Sequence, residues 1–88
     1  MRELEYGMFA RSLAGHDKGR LYIVLEAEEE SVILADGKRR TLANPKKKKR
    51  KHVQPDFSKA ELLEELRRKG RTVRDEDIRI ALKNKEEC

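Results

Sequence analysis

The feature that most constrains folding is a run of six consecutive cations at residues 46–51, KKKKRK. It lies within residues 37–55, GKRRTLANPKKKKRKHVQP, which hold nine lysines and arginines and no acidic residue. Adjacent ammonium and guanidinium groups repel and keep a segment extended, so the run itself cannot supply a core. The core must come from the apolar residues on either side. The chain's net charge is +5, so everything outside residues 37–55 is mildly acidic. A basic segment beside an acidic body is the electrostatic footprint of a protein that binds a polyanion.

Eighty-eight residues, 36% hydrophobic and 44% charged, are enough for one small core. No apolar run approaches the ~20 residues of a membrane span, so no membrane association is expected. The N-terminus, MRELEYGM, lacks the apolar stretch of a secretory signal. The one cysteine, Cys88, is the last residue; without a disulfide partner it points to a reducing cytoplasm.

Residues 4–12 alternate, with Met8 and Ala10 on one face and Phe9 and Arg11 on the other, as in a strand. Residues 13–19, LAGHDKG, form a glycine-shaped reversal that Asp17 can close by bonding its own downstream backbone. Residues 20–27, RLYIVLEA, are the strongest strand. Their continuous apolar run requires cover on both faces. An acidic turn follows at residues 28–30. Strand 31–36, the Asp36-Gly37 pair and a basic arm at 38–42 read as a hairpin. His52 and Val53 return as a short last strand, ended by Pro55. Five short strands with tight turns in this length predict a small barrel over residues 1–55.

Residues 56–88 read as a helical extension. Ser58 and Glu61 form a capping box, and Phe57 and Leu62 a hydrophobic staple, for a helix over 59–69. A second helix is expected over 75–85, with Ile78 and Leu82 on one face; Thr72 and Asp75 are both candidate caps.

The runs GMFARSLAGHDKGRLYIVL and VILADGKRRTLANPKKKKRKHVQP resemble the KOW motif, found in several large-subunit ribosomal proteins and in transcription factors of the NusG type. The likeness is to small bacterial KOW proteins, and it covers residues 6–55. It implies a mainly β, SH3-like barrel that docks on structured RNA, ribosomal RNA foremost. By that resemblance the loop at 12–19 and the basic segment at 38–52 face the RNA. One departure is His16, where many relatives have arginine. Residues 56–88 lie outside the likeness.

The expected RNA contacts are Lys18, Lys38, Arg39, Arg40, Lys46, Lys47, Lys48, Lys49, Arg50, Lys51 and His52. Ammonium groups bind phosphate as point charges, and the planar guanidinium matches it bidentately. The two basic segments are expected to form one positive surface. Residues 45–51 also read as a nuclear import signal. No catalytic constellation, cofactor motif or zinc spacing is present: His16 and His52 are far apart and a single cysteine cannot complete a site. A non-enzymatic, cytoplasmic, ribosome-associated RNA binder is therefore expected. Two alternatives carry weight: an adaptor using the barrel and a protein partner on helices 59–69 and 75–85, and a transcription-associated binder of nucleic acid.

Overall fold

In a computed structural model of the protein, residues 3–87 are described. Five antiparallel strands, β1 (Met8–Ser12), β2 (Leu21–Ala27), β3 (Ser31–Ala35), β4 (Lys46–Lys49) and β5 (Val53–Lys59), form one sheet in the order β4-β3-β2-β1-β5. Two helices follow, α1 (Glu61–Arg68) and α2 (Asp75–Glu86). The chain is thus mainly β with a helical C-terminal part.

The period-two pattern of the first three strands builds two cores. One face carries Met8, Ala10, Tyr22, Val24, Val32 and Leu34, closed by Leu4, Val53 and Phe57. The other carries Phe9, Ile23 and Ala35, and the helices cover it with Leu63, Ile78 and Ala81. Both faces of β2 are therefore covered, as its apolar run requires. Each large aliphatic side chain so buried contributes about 1.5–3 kcal/mol.

A three-residue 3-10 turn, Arg50–His52, joins the two edge strands β4 and β5. Four Cα–Cα steps from Lys49 to Val53 reach at most about 15 Å. A flat five-stranded sheet would hold its edges about 19 Å apart. The sheet must therefore curl, and its concave face encloses the first core. No pairing joins β4 to β5 among the described residues, so the sheet remains open.

Several expectations are corrected. Residues 38–42 are not a strand. Asp36 Oδ1 accepts the backbone N–H groups of Lys38 and Arg40, both at 2.9 Å, and the Asp36 N–H donates to Arg40 O at 2.8 Å. The aspartate side chain thus gives the backbone a local alternative to a ladder. The partner of β3 is instead the lysine run, with Ser31 opposite Lys49 and Leu34 opposite Lys46. Gly37 is required in this loop: its φ is +79°, and a Cβ would lie 2.5 Å from Asp75 O of α2.

β1 begins at Met8 rather than residue 4. β5 runs through Pro55 to Lys59, where an edge strand tolerates the missing donor. Ser58 consequently lies in the sheet and donates to Asp56, so it does not cap α1; Phe57 packs into the first core. The helix begins after Ala60, whose N–H donates to Gly7 O at 2.8 Å. α2 starts after Arg74, not at either expected cap, and Asp77 Oδ2 accepts the Arg74 N–H at 2.9 Å. Asp75 instead accepts the N–H of Leu42 at 2.8 Å, across the helix–loop boundary. The expectation for Cys88 lies outside the described residues.

Candidate nucleic-acid interface

The lysine run becomes a strand whose alternation divides it. Side chains directly opposite in an antiparallel pair share a face. Lys46 and Lys48 stand opposite Leu34 and Val32, both in the first core, so they point inward. There they meet Asp17, a residue only 5% exposed. Lys48 Nζ lies 3.0 Å from Asp17 Oδ1 and also donates to Ala14 O at 2.9 Å. Lys46 Nζ lies 3.3 Å from Oδ2. The Ser12 hydroxyl and the Tyr22 phenol donate to the same carboxylate at 2.8 and 2.7 Å.

This arrangement sets the titration of the buried pair. Burial alone would push the Asp17 carboxyl up; the hydrogen bonds from Tyr22, Ser12, Lys48 and Lys46 overcome it and hold the group well below the usual carboxylate range. The Tyr22 phenol is pushed up to about 12 by its burial and by the hydrogen bond and negative charge of Asp17. The Asp17 carbonyl closes the turn by accepting the Arg20 N–H at 2.9 Å, but its carboxylate is not spent on the turn as the sequence suggested. It anchors the sheet edge to the loop at residues 13–19.

The remaining cations fall into different situations. Lys47 points outward, its side chain 64% exposed, 3.3 Å from Glu28. Arg50 Nε donates to Glu28 O at 2.7 Å, and its Nη2 lies 3.6 Å from Glu3. Lys49 and Lys51 are exposed, with no carboxylate partner among the described residues. His52 is half-buried, and its carbonyl accepts the Leu13 N–H at 2.8 Å. Lys38 and Arg39 are exposed on the loop that Asp36 organises, and Lys18 is exposed on the turn beside Gly19; none has a carboxylate partner among the described residues. Arg40 is half-buried, held through its backbone.

The two basic segments do not merge. Lys49 stands beside Ser31, at the start of β3, whereas residues 38–40 follow its far end. A five-residue strand separates them by about 15 Å or more. The expected single surface is thus two patches at opposite ends of β3.

No family model matches the chain, and no curated protein matches it. Among the described residues no three histidine, cysteine or acidic side chains converge on a metal-sized site. No described helix is long and apolar enough to cross a membrane.

The helices add residues that the sequence did not nominate. A groove of about 650 Å³ lies between the turn at Gly19–Leu21, the loop at Asp36–Arg39 and α2. Arg20, Arg79 and Lys83 line it together with Lys38 and Arg39. The Arg79 guanidinium donates to Gly37 O at 2.6 Å, which ties α2 to the basic loop. Arg79 and Lys83 are visible in the sequence as an i, i+4 pair. Their nearness to Lys38 comes only from the packing of α2.

Proposed function

We propose that this protein is a non-catalytic RNA-binding module of the KOW type, with an SH3-like curled sheet, that docks on structured RNA, ribosomal RNA foremost, in the cytoplasm. The observation that carries this reading is that Lys38, Arg39, Lys49 and Lys51 are exposed, have no carboxylate partner among the described residues, and stand on backbone fixed from beneath. The loop cations are held by Asp36 and Arg79; Lys49 is held by the inward pairing of its strand neighbours Lys46 and Lys48 with Asp17, and Lys51 follows on the 3-10 turn. A rigid display loses little entropy when phosphates are engaged. The 3-10 connection and the order of the strands are in keeping with the SH3-like reading.

Lys46 and Lys48 act from within the fold and leave phosphate contact to their neighbours. Replacing Lys38, Arg39, Lys49 and Lys51 by glutamate together is expected to abolish binding to a ribosomal RNA fragment at physiological salt without lowering the melting temperature. Retained affinity in this folded variant would count against the proposal. Competition by duplex DNA at equal or greater strength would move the reading to a transcription-associated binder.

The adaptor alternative has less support. On the helices that it assigns to a protein partner, Leu63, Ile78 and Ala81 are buried in the core under the sheet, with Leu66 and Leu82 packed beside them.

A further inference from the structure

The groove between α2 and the basic loop combines features that the phosphate-contact reading leaves unused. Its walls carry Arg20, Lys38, Arg39, Arg79 and Lys83. Against these five cations stand three carboxylates, Asp36, Glu76 and Glu86. Two of the three are engaged: Asp36 with the loop backbone, and Glu86 with Arg11 at 3.2 Å. Between the walls lie Leu21, Ile80 and Leu82, and Ile80 is 42% exposed, one of two large apolar side chains so open among the described residues. An apolar strip bordered by cations is matched chemically by a flat apolar ring carried between phosphates.

We infer that this groove receives an unpaired nucleotide of the bound RNA, with the base laid on Ile80 and Leu21 and its flanking phosphates on Lys38, Arg39 and Lys83. The inference rests on the RNA-binding reading and extends it from backbone docking to recognition of single-stranded RNA. Unstacked bases seek apolar or aromatic faces, while a paired duplex keeps its bases stacked inside. A groove of this size falls within the range of about 300–1,000 Å³ typical of ligand clefts. The charge balance selects a polyanion over an acidic-face-free protein segment, and the apolar strip selects a strand with accessible bases over a duplex.

The role of α2 follows. Arg79 holds Gly37 O, and Asp75 holds the Leu42 N–H, so the helix fixes the loop that forms one wall. Ile80 and Lys83 themselves make none of these anchoring contacts and can be changed without loosening the loop.

The test measures binding of the full chain to a single-stranded oligouridylate and to a blunt RNA duplex, for wild type and for the double variant Ile80→Asp, Lys83→Gln. The expected result is a loss for the oligouridylate about tenfold or more beyond the loss for the duplex, which registers only the altered charge. Ile80→Phe is expected to bind the oligouridylate at least as well as wild type, because an aromatic ring offers a better stacking face. Equal effects of the double variant on both probes, or none on either, would overturn the groove assignment while leaving RNA binding standing. Wild-type protein that binds a ribosomal RNA fragment but not the oligouridylate would overturn this inference alone; protein that binds none of the three would overturn the RNA-binding reading with it. Ile80-dependent binding of polyglutamate in place of the oligouridylate would also overturn it, in favour of a protein partner.

Discussion

Asp17 takes four donors from three strands: Ser12 of β1, Tyr22 of β2, and Lys46 and Lys48 of β4. Removing its charge strands Lys48, whose side chain is 10% exposed, beside an uncompensated interior. Asp17→Asn is therefore expected to destabilise the fold by about 3–5 kcal/mol, a drop in melting temperature of more than about 10 °C. Tyr22→Phe removes one donor and is expected to cost about 1–3 kcal/mol. Each also alters the pH dependence. The Asp17 carboxyl titrates lower in the folded chain than in the unfolded one, so its contribution is present above about pH 4 and fades as pH falls below that. Asp56 adds a smaller effect of the same sign: Lys85 at 2.8 Å, and Ser58, hold it at about 2. The Tyr22 phenol titrates higher in the folded chain, so its contribution is full below about pH 10 and is lost as pH rises through about 12. Urea denaturation across pH is expected to show a steep acid limb in wild type that is shallower in Asp17→Asn. The limb between about pH 10 and 12 should be absent in Tyr22→Phe.

At the scale of elements, the loop at residues 36–42 depends on α2. Gly37→Ala places a Cβ against Asp75 O at a positive φ, and is expected to destabilise by about 1–3 kcal/mol. Arg79→Ala should leave the sheet folded but raise amide exchange at Lys38 and Arg39, which hydrogen-exchange measurements can resolve. Much of the sheet was legible in the sequence. The opposite faces of Met8 and Phe9, the doubly covered β2 and the shared face of Ile78 and Leu82 all follow from periodicity, which is local. The partner of β3 was not legible. Asp-Gly after a strand serves a two-residue hairpin and an aspartate-bonded loop equally well, and the choice was made by the docking of α2. Nor was β4 legible. Lysine has low strand propensity, and the carboxylate that makes the run a strand lies far away in sequence, at Asp17. Ser58 and Glu61 match a capping box, yet the pairing of β5 with β1 continues to Lys59 and overrides it.

At the scale of the whole molecule, residues 56–88 are part of the folded unit and not a separable appendage. They supply the end of β5 and the cover for Phe9, Ile23 and Ala35. A chain ending at Pro55 is expected to lose cooperative unfolding, visible by circular dichroism on heating. The molecule as a whole presents cations in two patches over a scaffold that consumes two of its own lysines. The most direct measurement is the salt dependence of RNA binding for two double variants, Lys46→Gln with Lys48→Gln and Lys49→Gln with Lys51→Gln, each followed alongside its melting temperature. Division of the run into inward Lys46 and Lys48 and the exposed Lys49, at the end of β4, and Lys51, on the 3-10 turn, predicts that the outer pair lowers the slope of log affinity against log salt by about 1.4–1.8 with melting unchanged. The inner pair should lower the melting temperature by several degrees and leave the slope of the folded fraction intact. A reduced slope from the inner pair at unchanged melting temperature, with no effect from the outer pair, would contradict it.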